Sequence, residues 1–173
     1  VDGHIKLPKL QLVKIKQHRE IPAEHTIKSC TISLNASGKY TISILTEYEK
    51  EIKNKKIEQV VGLDFAMDGL FVESETGKKA NYPRFYRQMR HQLAIEQRKL
   101  SRKKKGSANW HKQRIRVAKI HEKIANQRKN FLHRQSKELA TKFDAVVIED
   151  LDMKSMSQAL KFGISVGDNG WGM

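Results

Sequence analysis

Cysteine is all but missing from this chain. Cys30 is the only one in 173 residues, which excludes an internal disulfide and a cysteine-rich zinc site. Cys30 itself reads as a small strand residue in a reducing cytoplasm. Long apolar runs are missing as well: no stretch approaches the roughly 18 uninterrupted apolar residues of a membrane-spanning helix. No charged-then-apolar leader opens the chain. His91, His111, His121 and His133 lack a His-x-x-x-His spacing, so they read as solvated side chains rather than metal ligands. Acids are outnumbered, with 19 Asp and Glu against 34 Lys and Arg, a net charge of +15. Such an excess points to a polyanionic partner, either nucleic acid or an anionic membrane. At 38% hydrophobic, the chain has material for one domain or two small ones with a modest core.

The pattern of elements predicts an α+β chain. Residues 1–56 read as β. Leu10, Leu12 and Ile15 suggest a short strand, and Cys30, Ile32 and Leu34 alternate with Thr31 and Ser33. After the turn-rich Asn35-Ala36-Ser37-Gly38, Tyr40, Ile42 and Ile44 alternate with Thr41 and Ser43, which is a hairpin signal. From residue 57 the character changes. Val60, Val61, Leu63 and Phe65 form an apolar run expected of a central strand, with Asp64 inside it. A second strand begins at Leu70-Phe71-Val72, Glu75-Thr76-Gly77-Lys78 supplies a turn, and a short third strand follows toward Tyr82.

Residues 84–142 predict a long helical hairpin. Phe85, Met89, Leu93, Glu96 and Leu100 trace one helical face with a single polar break. Val117, Ile120, Ile124 and Phe131 trace another, which Leu132, Ser136 and Leu139 continue. Gly106 interrupts the helix, and Ser107 or Asn109 can cap the next one. A helix of about 30 residues would span roughly 45 Å. The block holds 19 Lys and Arg against three acids, Glu96, Glu122 and Glu138. That is a net +16, which leaves the remainder of the chain at −1, so the basic character belongs to the hairpin. A charge run is often only a solvated face, and a basic amphipathic helix can lie on a membrane. The apolar faces here are narrow, however, and Trp110 is the hairpin's only Trp. Nucleic acid is the better partner. Arg87, Arg98, Arg102, Lys103, Lys104, Lys105, Arg114, Arg116 and Arg128 are the residues expected near phosphates, contacts that position a backbone without reading sequence.

Phe143-Asp-Ala-Val-Val-Ile-Glu-Asp-Leu151 predicts a buried strand ending in carboxylates, followed by a polar loop and a weakly helical or irregular tail. Two apolar strands therefore each carry an acid, Asp64 and Glu149. A carboxylate in an apolar strand is costly unless paired or bound to a cation. Side by side, the two would meet at one edge of a sheet, where oxygen ligands suit Mg²⁺ or Mn²⁺. Two such ions can hydrolyse a phosphodiester, the logic of RNase H-like nucleases. The plainer alternative is that both acids simply end their strands at the solvent edge. Asp150 and Asp152 could also serve in place of Glu149, although alternation puts Glu149 and Asp150 on opposite faces.

Val61-Gly-Leu-Asp-Phe, Leu100-Ser-Arg-Lys-Lys-Lys-Gly-Ser, His121-Glu-Lys-Ile-Ala-Asn-Gln-Arg-Lys-Asn-Phe-Leu-His and Val147-Ile-Glu-Asp-Leu stand in this order along the chain. Together they resemble consecutive signatures of the TnpB family, transposase-associated proteins of bacterial insertion sequences that are RNA-guided DNA endonucleases related to type V CRISPR effectors. Leu7-Pro-Lys-Leu and Val13-Lys-Ile-Lys are similar to the family's wedge segment. The resemblance implies that residues 1–56 are the later part of an OB-like wedge β-barrel. It implies that residues 57–173 are part of a RuvC domain, with the hairpin at 84–142 as an insertion beside the guide–target heteroduplex. Asp64 and Glu149 become the first and second RuvC carboxylates, with Mg²⁺ or Mn²⁺ as cofactor. Guide RNA and target DNA become the partners, and the bacterial cytoplasm, at the nucleoid, the location. The family's recognition domain, zinc ribbon and third RuvC aspartate are not found in this chain. Val1 and the closing Gly-Trp-Gly-Met read as the ends of a fragment. Asp168 precedes the expected third aspartate and is not assigned to it. The fragment alone is therefore expected to cleave little. A nuclease-dead, RNA-guided DNA-binding repressor is the alternative function.

Overall fold

The structure, a computed structural model, describes residues 3–51, 56–66, 68–159 and 163–171. Gly172 and Met173, the end of the C-terminal stretch discussed above, lie outside the described residues. The chain divides into two units. One comprises residues 1–34 and 40–52, the other residues 35–39 and 53–173.

The first unit is built from antiparallel ladders. β1 (His4–Leu7) pairs with β2 (Gln11–Lys14), the chain turning through left-handed residues at Lys9 (φ 66°) and Gln11 (φ 55°). β3 (Thr26–Leu34) pairs with β4 (Tyr40–Glu47), with an irregularity between Ile27 and Ser29. The apolar positions meet across this ladder, Cys30 opposite Ile44 and Ile32 opposite Ile42, the pairing that favours a hairpin. At its open end His25 stacks on Tyr48 with ring centroids 4.2 Å apart. Lys28 and Glu47 form an ion pair there. The expected partial barrel takes a simpler form here. Among the described residues β1–β2 and β3–β4 are separate two-stranded sheets, and no barrel closes. A two-residue period specifies strands but not which ladders join.

The second unit holds a four-stranded sheet in the order β7-β6-β5-β8. β5 (Val60–Phe65) runs antiparallel to β6 (Phe71–Glu73) and parallel to β8 (Ala145–Ile148), while β7 (Lys79–Ala80) continues from β6. The crossover from β7 to β8 is the helical hairpin, α1 (Phe85–Ser101) and α2 (Ala108–Lys142). Gly106 breaks it with φ 84°, a conformation glycine adopts without a Cβ clash. Ser107 then caps α2, its side chain accepting from the Trp110 N–H. The 35 residues of α2 span about 52 Å. Two short helices follow, α3 (Met153–Ala159) and α4 (Gly163–Asn169).

α2 serves two separate cores. Its first half packs Val117, Ile120 and Ile124 against Leu93, Phe85, Met89 and Leu100. Its second half lays Phe131, Leu132 and Leu139 on the sheet residues Val61, Leu63, Leu70 and Phe71. The polar break at Glu96 has a partner. The amide of Gln113, itself 3% exposed, donates to Glu96 Oε2 at 2.6 Å and to the Glu96 carbonyl at 3.1 Å. Lys99 donates to Oε1 at 2.6 Å. One correction concerns β8. The sequence predicts it buried, yet among the described residues it is an edge strand, with Val147 59% and Ile148 61% exposed.

Candidate metal and nucleic-acid site

The geometry of Asp64 and Glu149 follows from the strand register. Val60 pairs with Ala145 and Leu63 with Ile148, a constant offset of 85 residues. The ladder ends at that last pair, and Asp64 and Glu149, the first residue beyond β8, are the residues that follow it; the same offset continued one step would set them opposite each other. Neighbouring strands lie about 4.8 Å apart. Side chains in register on parallel strands share a face. Val61 and Leu63 turn into the core, so Asp64 takes the other face, where it is exposed, and so is Glu149.

Asp144 fixes this register from the far end of the strands. Its Oδ2 accepts from the Glu58 and Gln59 N–H groups at 3.1 and 3.0 Å, and its own N–H donates to the Gln59 carbonyl at 2.8 Å. Asp144 carries no signal in the sequence, because an acid before a strand is indistinguishable from any polar boundary residue until its partner strand is known.

The other acids near the pair have different work. Asp152 accepts from the Lys154 and Ser155 N–H groups at 3.0 and 3.1 Å and from Ser155 Oγ at 2.5 Å. It caps α3, and those bonds, the Ser155 hydroxyl's first, hold its carboxyl below the usual aspartate value. Glu73 is buried on the opposite, core-facing side of the sheet, in register with Leu63. It accepts from Thr76 Oγ1 at 2.8 Å and lies 3.8 Å from Lys142 Nζ. The Asp64–Glu149 pair thus offers exposed carboxylate oxygens alone. That donor set fits a hard divalent cation such as Mg²⁺ or Mn²⁺ as two ligands of a site. Among the described residues no third Asp, Glu, His or Cys completes a cluster with them.

The hairpin separates its charges by position. Between residues 97 and 121 there are ten Lys and Arg and no acid, so the tip carries the greatest charge density. Arg87, Arg98, Arg102, Lys104, Lys105, Arg114 and Arg116 are exposed, and Lys103 is half-buried. Arg87 also donates to Ser165 Oγ at 2.6 Å. Arg128 differs from the rest of the expected phosphate contacts. Its side chain is only 21% exposed, its Nη2 stands 3.8 Å from the buried carboxylate of Asp168, and its Nε is enclosed. It is an internal cation of the helix–tail junction, a role that an exposed-face reading of α2 could not anticipate.

Asp168 and Asn169 are buried polar residues with no burial signal in the sequence. Asp168 is 2% and Asn169 1% exposed. Asp168 accepts from the Tyr86 N–H at 3.0 Å and so caps α1, whose own N-cap Arg84 supplies no side-chain bond. Their signal in sequence is only a polar pair before Gly170 and Trp171, which reads as loop.

Comparison with known proteins places this geometry in context. A family model described as "Probable transposase", OrfB_IS605, matches residues 43–160. The chain is 33% identical over 171 residues, 98% of its length, to a Streptomyces pristinaespiralis protein named "Putative RNA-guided DNA endonuclease". It is 33% identical over 158 residues, 91% of its length, to Escherichia coli K12 "Putative RNA-guided DNA endonuclease InsQ". The chain spans 42% and 38% of these curated relatives.

Proposed function

The chain belongs to this transposase family, the TnpB family its motifs resemble, and from that premise we propose that it forms part of an RNA-guided, divalent-metal-dependent DNA endonuclease. The observation that supports the reading is the parallel pairing of β5 with β8, whose last pair, Leu63 with Ile148, immediately precedes Asp64 and Glu149. Residues 57–173 act as part of a RuvC-type nuclease domain, and residues 1–56 as part of the wedge that grips guide RNA. Asp64 and Glu149 hold Mg²⁺ or Mn²⁺. Bound there, the metal supplies Lewis-acid activation of water and stabilisation of the leaving oxygen in phosphodiester hydrolysis.

The remaining groups position and neutralise. Asp144 keeps the two ligand strands in step. The acid-free tip of the hairpin, Arg98 to Lys119, offers cations to the phosphates of a guide–target duplex, which sets affinity without reading bases. The strand acids favour a nuclease over a passive basic binding module, since a module that only binds has no use for two carboxylates facing an anion. Among the described residues no third acid joins the two in a cluster, so the 173-residue chain by itself is expected to cleave little, and Mg²⁺-dependent nicking by it would refute that.

The test is reprogramming. The complete gene product, copurified with guide RNA from its native locus, is given labelled DNA matching the guide and DNA that does not match. Cleavage confined to the matching DNA, and redirected when the guide segment is changed, is the expected result. Cleavage indifferent to the guide, or binding with no cleavage in Mg²⁺ or Mn²⁺, would overturn the reading.

A further inference from the structure

Asn169 is a buried amide with an unusual reach. It closes α4, yet its Nδ2 donates to the Ala66 carbonyl at 3.1 Å and to the Gly69 carbonyl, residues 103 and 100 positions earlier. Both carbonyls lie just past the exit of β5, and Ala66 follows Asp64 by two residues. An Asn amide nitrogen has two hydrogens, so these two acceptors use both. The orientation of the amide is set by chemistry, because its oxygen in that place would face two carbonyl oxygens.

The surroundings hold the same stretch from other sides. Trp171 meets Phe65, Asp64's neighbour, edge to face with centroids 5.8 Å apart. The Leu70 N–H donates to the Ala80 carbonyl at 2.7 Å. A Cβ on Gly69 would come within 2.9 Å of that same carbonyl and 2.8 Å of Lys79 Cε, so a larger residue there would displace the β5 exit. Asp168, next to Asn169, is fastened to the start of α1 and lies beside Arg128. The tail is thus anchored to both helices of the hairpin while gripping the end of the Asp64 strand.

We propose that Asn169 is a positioning residue for the metal site, holding the β5 exit through the Ala66 and Gly69 carbonyls so that Asp64 stays opposite Glu149. This rests on the reading of those two acids as metal ligands. The link is indirect, since Asn169 touches backbone and not the carboxylates. Its signature is a weakened metal affinity rather than an abolished reaction. Groups hydrogen-bonded directly to a ligand typically change metal affinity roughly 10- to 100-fold when removed, and Asn169, acting through backbone, belongs at the lower end of that range.

The experiment uses the complete gene product with its guide RNA. Mn²⁺ binding is followed by the electron paramagnetic resonance of the free ion, beside the melting temperature and the Mg²⁺ dependence of cleavage at saturating target. Asn169→Asp puts an oxygen against the two carbonyls, and Asn169→Ser removes the reach. Both are expected to weaken Mn²⁺ binding by roughly 10-fold and to raise the half-saturating Mg²⁺ in parallel, with cleavage largely recovered at high metal. A lower melting temperature or smaller active fraction with metal affinity unchanged would mean a purely structural role and overturn the proposal. Where Asn169→Ser melts below the assay temperature, Gly69→Ala tests the link from its other end, and unchanged Mn²⁺ affinity there overturns it equally. Asp64→Ala runs beside them. If it binds Mn²⁺ as tightly as the unmodified protein, the metal-ligand reading itself has failed, whatever the Asn169 variants do.

Discussion

Leu93→Ala tests whether the hairpin seam is a core of its own. Leu93 is 3% exposed, the one buried residue of α1, and it packs in a cluster with Val117, Ile120 and Ile124 of α2. None of these belongs to the sheet core, which draws instead on Phe131, Leu132 and Leu139 further along the same helix. Truncating a buried leucine costs about 2–5 kcal/mol, the lost transfer energy plus the cavity left behind. At about 1.4 kcal/mol per tenfold change, opening of the seam becomes roughly 30-fold to several thousandfold more frequent. Hydrogen exchange reads this amide by amide. In Leu93→Ala, the amides of α1 and of α2 before Ile124 should exchange at least about 30-fold faster, while those of β5 and β6 hold their rates. Acceleration under about fivefold, near 1 kcal/mol, would show that Leu93 does not anchor the seam. Equal acceleration in β5 would show one cooperative core in place of two.

Three further outcomes follow from the same structure. Alanine at Arg102, Lys103, Lys104 and Lys105 should flatten the salt dependence of nucleic-acid binding, lowering the log–log slope by up to about 3–4 if each meets a duplex phosphate; a fluorescence-anisotropy titration across salt with an unchanged slope would remove the tip from the interface. Glu96 is held below its ordinary value near 4.5 by bonds from Lys99 and then Gln113. A depressed carboxyl stabilises the fold above its unfolded value, so this contribution is present above about pH 4.5 and fades as pH falls through the lower folded value. Glu96→Gln should blunt that acid sensitivity in a helicity-monitored titration. Ser107→Ala removes the cap on α2 and should cost about 1 kcal/mol in a denaturant melt; no measurable loss would show that the Trp110 N–H is satisfied otherwise.

Much of this architecture could be read from local pattern. The β3–β4 hairpin, the central strand around Asp64 and the helix break at Gly106 each follow from periodicity or from one residue's backbone freedom. β1 escaped notice because four residues, His4 to Leu7, are too few to establish a period. The exposure of β8 escaped because Ala-Val-Val-Ile reads alike in a central and an edge strand; only the order of the sheet separates them. For the site, the two acids were legible because carboxylates are out of place in apolar runs. Their register was not, since it depends on Asp144 reaching back 86 residues to Glu58. Arg128 and Asn169 mislead for a related reason. A cation and an amide in polar segments look solvated until the tertiary fold encloses them, Arg128 beside Asp168 and Asn169 over the β5 exit.

On the proposed reading, Asp64 and Glu149 act together on a phosphodiester through a divalent metal. The most direct measurement compares the guide-loaded complete protein with its Asp64→Ala and Glu149→Ala variants on matched DNA in Mg²⁺, scoring binding and cleavage in the same samples. Each variant should bind the DNA as the unmodified protein does, and neither should cleave it. Cleavage at an undiminished rate by either variant would leave that acid an ordinary strand-end residue with no part in the reaction.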